Sequence, residues 1–298
     1  MVAPASSTAA SWELAVRLRS RREHLHLTAD QVGTHLGVSR SYVSQVEKRH
    51  TIPAAEKLDD LARVLGFDDA ERGELQALRS TARERGWWES YADLFGNETL
   101  DAFGLEYGAS TVQAYEGALV TGLLQTTEYT RGLMASDMTL PQTDLSRRIR
   151  LRTQRQARLD PPDPLRLEVV MSEAALLQHV SDDPDVLAGQ LTYLLTMIER
   201  HPDTIDIRIA PFRVNPGSVL GSSTFYLFKF ASPQMPPLAW RESTISYSLV
   251  ESPQKVHEFD LMFRQARAAS LDPAASKARI ERALDDATGA APVRGAGG

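Results

Sequence analysis

Cysteine is absent from all 298 positions, which excludes disulfides, thiolate metal sites and a cysteine nucleophile. No apolar run approaches the roughly 20 residues needed to cross a bilayer. Residues 1–11 lack a charged stretch followed by an apolar one, so they read as a disordered lead-in and not as a secretory signal. Catalytic spacings are missing too: there is no His-Glu-x-x-His, no nucleophile elbow and no phosphate-binding glycine loop. His179, His201 and His257 stand far apart, with no ligand spacing among them. No internal repeat is visible. These absences predict a cytoplasmic, non-membrane chain that is not an enzyme and carries no cofactor or metal.

What is present suits a globular protein of two ordinary domains, with 42% hydrophobic and 24% charged residues. The net charge of -6 is unevenly spread. Residues 1–66 hold nine Lys and Arg against seven Asp and Glu, while the remainder holds 24 against 32. Three of the seven histidines also precede Gly37. A weakly basic head on an acidic body is compatible with a local nucleic-acid contact surface.

Residues 12–85 read as five short helices. Trp12, Leu14, Val16 and Leu18 open an amphipathic segment; Thr28 followed three positions later by Gln31 forms a capping box. Gly37 breaks that helix, Ser39 caps the next, Pro53 suits the first turn of a fourth and Asp68 caps a fifth. Residues 86–160 read as a helical connector, with Trp87 and Trp88 cementing head to body. The prolines at 161, 162 and 164 end it. Residues 161–288 read as an α/β domain. Strands are expected at 165–171, 205–209, 224–230 and 238–241, with another near 246–250, and helices at 183–200, from Pro253, and at 274–286. Residues 289–298 read as a disordered tail. The fold class is α plus α/β.

Within the head, two short helices flank the turn at Gly37. Val32 and Leu36 line the first, and Val38, Val43 and Val46 line the second. Arg40, Ser41, Ser44, Gln45 and Lys48 are left on the second helix's outer face, a hydrogen-bonding and basic surface of the kind that enters a major groove. The segments 18–23, 27–28, 37–48, 52–53 and 61–66 together resemble the Xre-type, phage-repressor-like helix-turn-helix family. That resemblance implies binding of double-stranded DNA by a homodimer. It places Arg40, Ser41 and Gln45 at base edges, and Thr28, Ser44, Lys48 and Arg49 at phosphates. It also matches Arg22 and Glu47 to the family's internal ion pair. Arg49 departs from the pattern, since the family usually has glycine there. A left-handed backbone at that position would cost an Arg about 1–2 kcal/mol.

The body, through 105–110, 122–129, 152–159, 172–176 and 210–212, resembles the antitoxin-like domain of unknown function that accompanies such heads in actinobacterial regulators. Thr121 departs from it where the family commonly has proline. The resemblance implies regulation, as repressor or antitoxin, by contact with a small acidic partner protein. Arg148, Arg152, Arg155 and Arg158 share one helical face, and three uses remain open for it: a solvated or internally paired surface, a dock for an acidic partner, or a contact for flanking DNA. The alternative for the body is a small-molecule sensor or a cryptic hydrolase, for which Glu173, Glu242 and Glu251 would have to converge.

Overall fold

The computed structural model describes residues 3–215, 217–219, 224–243 and 246–289. These divide into two compact units. One runs to Ala109 and includes Phe230–Pro236; the other takes the described residues of 110–229 and 237–289. The fold is α plus β.

The first unit opens with α1 (Ser7–His24). Its start corrects the expectation of a disordered segment over 1–11. Ser6 caps the helix by accepting from the Ala9 amide at 3.2 Å and donates to the Gly104 carbonyl at 2.6 Å. A Ser- and Ala-rich stretch looks like a linker by composition, yet serine is a good cap and alanine the best helix former. Met1 and Val2 lie outside the described residues.

Helices α2 (Ala29–Leu36), α3 (Arg40–Glu47), α4 (Ala55–Val64) and α5 (Asp69–Ala82) follow. Thr28 and Asp68 make full capping boxes and Ser39 caps α3. Ala54, not a residue before Pro53, is the N-cap of α4, so the proline precedes the helix. Leu14, Leu18, Val32, Val43, Val46, Leu58, Leu61, Leu65 and Leu75 form one buried core. Gly37 takes the left-handed conformation at φ 63°. At Gly33, a Cβ would sit 2.8 Å from the Val38 carbonyl oxygen, so glycine lets the two backbones close on each other there.

A 3₁₀ turn at Trp87–Tyr91 leads to α6 (Asn97–Gly108). Trp88 is buried, and both tryptophans pack on Tyr107 within this same unit.

The expected helical connector over 86–160 is not a separate body. Its second half begins the other unit with a strand, β1 (Thr111–Glu116), which sequence patterning missed. Then come α7 (Thr127–Ala135), α8 (Leu145–Gln156), β2 (Arg166–Ser172), α9 (Pro184–Arg200), β3 (Ile205–Ala210), β4 (Phe225–Lys229), β5 (Leu238–Glu242), β6 (Tyr247–Val250), α10 (Pro253–Ala269) and α11 (Pro273–Gly289). The expected tail 290–298 lies outside the described residues.

The six strands lie in the order β3-β2-β1-β4-β5-β6, the first three parallel and the rest antiparallel. Tyr115, Val170, Phe225, Leu227 and Ala239 pack with Val256, Phe263 and Ala266 of α10. Alternation then places Glu116, Tyr226, Trp240 and Glu242 on the opposite face.

Candidate nucleic-acid interface

Helical periodicity sets Arg40, Ser41, Ser44, Gln45 and Lys48 along one side of α3, with Lys48 as its C-cap. Val43 and Val46 anchor the other side in the core. Arg40, Ser41, Gln45 and Lys48 are exposed, and Ser44 is half-buried. The three expected base readers therefore share an open surface on a braced helix.

The brace is the Arg22–Glu47 pair. Arg22 Nε and Nη2 donate to the two carboxylate oxygens at 2.6 and 2.9 Å, and Nη1 donates to the Leu27 carbonyl at 2.9 Å. Both side chains are largely buried, and the hydrogen bond to Glu47 raises the guanidinium's pKa. Such a two-pronged bond fixes α3 against α1 in angle as well as distance.

Beside the pair runs a groove of about 820 Å³, lined by Thr28, Arg40, Ser44 and Lys48 and also by Arg19 and Arg22. Thr28 stands at the amino end of α2, where backbone N–H groups favour an anion. Arg19 was missed by sequence reading. Its only sequence signal is one basic residue per turn of α1 at 19 and 22, which does not say where the side chains go.

Arg49 departs from the phosphate-facing set. Its φ is 65°, the left-handed backbone that the family's glycine implied. The guanidinium carbon lies 3.4 Å from the Trp12 ring centroid, and both terminal nitrogens reach Asp101 at 3.2 Å. Burial pushes the Asp101 carboxyl pKa up, with Arg49 opposing it. The residue ties the end of α3 to α1 and α6, so its cation is already occupied.

Residues 13–75 match the family described as a helix-turn-helix domain. Residues 99–282, more than half the chain, match the family described as a domain of unknown function, DUF5753. The chain belongs to the DUF5753 family. No curated protein and no solved structure matches it.

In the DUF5753 unit two residues of the arginine face, Arg152 and Arg158, bond within the unit, as the internally paired use among the three expects. Arg158 is buried and donates to the Asp163 carbonyl. Arg152 donates to the Gln125 side chain, and burial together with neighbouring Arg155 lowers its pKa. Arg148 and Arg155 are half-buried. Their period of three and four was legible, but the acids that act on Arg152, Glu242 and Glu116, lie on strands remote in sequence.

One of these acids, Glu116, is the last residue of β1 and buried. Its carboxylate oxygens accept from Tyr226 Oη and Thr224 Oγ1, each at 2.8 Å. Burial, with the charge of Glu242, raises its pKa to about 7. Glu242 accepts from Trp240 Nε1 at 2.8 Å. Tyr129, also buried, has its phenol pushed up to about 12 by desolvation. The convergence of Glu173, Glu242 and Glu251 that the hydrolase alternative would need does not occur. Glu173 pairs with Arg279 at 2.6 Å, and Glu251 is exposed.

Proposed function

We propose that this protein is a sequence-specific, cytoplasmic DNA-binding transcriptional regulator that represses by occupying its operator as a homodimer. One observation carries the reading: Arg40, Ser41 and Gln45 project together from the open side of a helix whose other side is locked into a core. Arg40 suits guanine and Gln45 adenine through paired hydrogen bonds, each worth about 1–3 kcal/mol of discrimination. Thr28, Ser44, Lys48 and Arg19 flank that surface and set register on the phosphates. A two-fold dimer would place its half-sites about 34 Å apart.

Selection of binding sites from random DNA tests this. Arg40→Ala is expected to relax one base position of the selected motif, and Lys48→Ala to weaken all sequences alike. An unchanged motif with Arg40→Ala would remove Arg40 from the readers.

A second reading concerns the signal. Internal bonds of Arg152 and Arg158 leave less of the arginine face for an acidic partner. The polar cluster around Glu116 favours a small molecule as the regulatory input, with no catalytic step required.

A further inference from the structure

From residue 99 onward, α6 lies in the stretch that matches DUF5753, well beyond the end of the helix-turn-helix match at residue 75. Its packing nevertheless places it in the first unit. Asp101, Gly104 and Gly108 follow one another by three and four, so they share one face of α6. The glycines bring that face against α1. A Cβ on Gly104 would overlap Thr8 Oγ1, and one on Gly108 would lie 2.8 Å from the Cβ atoms of Ser6 and Ala9. Ser6 Oγ adds its bond to the Gly104 carbonyl at 2.6 Å.

Seated in this way, Asp101 holds Arg49. Nη1 and Nη2 of Arg49 both donate to Asp101 Oδ2 at 3.2 Å, with the guanidinium lying over the Trp12 ring. A charge-assisted grip in a half-buried site confines a long side chain that is otherwise free to change rotamer.

Arg49 in turn forms the bend that ends α3. Its left-handed backbone, which glycine would take without strain, sends the chain back towards Gln45. The His50 and Thr51 amides both donate to the Gln45 carbonyl, at 2.9 and 3.3 Å. Thr51 Oγ1 donates to Gln45 Oε1 at 3.4 Å. Arg40 stands at the opposite end of α3, beside the Ser39 cap.

We propose that Asp101 is a positioning residue for base reading: through Arg49 it fixes the bend after α3, and through that bend the side chain of Gln45. The inference rests on the DNA-reading function and adds to it a residue that the helix-turn-helix match does not contain. It acts on one end of the reading surface and not on the other.

The test uses the full chain, with selection of sites from random DNA followed by titration on the selected operator. Asp101→Ala is expected to weaken the operator about tenfold, the loss of one paired base contact. The lost preference should fall at the base position that Gln45→Ala relaxes, with the position that Arg40→Ala relaxes kept. The salt slope should stay unchanged, because Asp101 neutralises no phosphate. In the Gln45→Ala background, Asp101→Ala should cost nothing further. Asp101→Asn keeps the side chain's size and one acceptor oxygen, so it should lose less; it carries the same comparison if Asp101→Ala unfolds at the assay temperature. Wild-type affinity and motif in both Asp101 variants, a loss spread evenly over all base positions, or additive losses with Gln45→Ala would each overturn the proposal. A wild-type chain that selects no motif would instead refute the DNA-reading function itself.

Discussion

Arg49 shows how a single residue can be placed correctly along the chain and still be assigned the wrong task. Its departure from glycine announced a left-handed backbone, and φ is 65°. The sequence could not show that Trp12 and Asp101 would take its cation. The strain of about 1–2 kcal/mol is offset by a cation–π contact of about 0.5–2 kcal/mol and by the Asp101 bond. Arg49→Ala keeps the strain and loses both contacts, while Arg49→Gly loses the contacts and the strain together. Denaturation midpoints are therefore expected to fall in the order wild type, Arg49→Gly, Arg49→Ala, the last lower by about 2 kcal/mol. Salt titration of operator binding gives the complementary check. Lys48→Ala should reduce the slope by about one ion per head, and Arg49→Gly should leave it unchanged. A slope lost with Arg49→Gly would return Arg49 to the phosphate contacts.

At the scale of elements, what was legible was local chemistry. Thr28 with Gln31, Ser39, and Asp68 with Glu71 cap their helices through bonds spanning three residues, so the starts of α2, α3 and α5 could be read directly. Strand β1 could not. It lies between β2 and β4 with Val112 through Glu116 all buried, so no polar–apolar alternation marks it. Its Gln113 and Glu116 look like surface residues until strands more than fifty positions away supply Glu168 and Tyr226. The arginine face of α8 shows the same limit: its period was legible, but the partner of Arg152 is Gln125, 27 positions earlier.

The end of β1 also carries a pH signature. Glu116 has a pKa raised from its usual 4.5 to about 7, so the folded state holds this proton more tightly than the unfolded one. The stabilisation is complete below about pH 4.5, declines as pH rises towards 7 and is gone above it. Its size is about 3 kcal/mol. Urea denaturation at pH 5 and pH 7.5 should show wild type losing much of that amount and Glu116→Gln losing far less. Equal losses would place the proton elsewhere.

For the whole molecule, charge and connectivity matter more than any one contact. The basic excess is confined to the head and the acidic excess to the rest, so net charge alone hides the DNA-facing surface. Connectivity is less simple than a head followed by a body. Phe230–Pro236, between β4 and β5, belongs to the first unit, where Ser232 donates to Glu13 at 2.7 Å and Met235 is buried. A fragment of residues 1–109 joined by a flexible linker to 230–236 should therefore resist urea better than 1–109 alone, by about 2 kcal/mol. Equal stability of the two fragments would show that the segment contributes nothing to the head.

That borrowed segment has a consequence for synthesis. At about 5–20 residues per second, the ribosome needs on the order of ten seconds after finishing residue 109 before it delivers Ser232 and Met235. During that interval the nascent helix-turn-helix unit waits for its last piece, which can arrive only after four strands of the sheet have been translated.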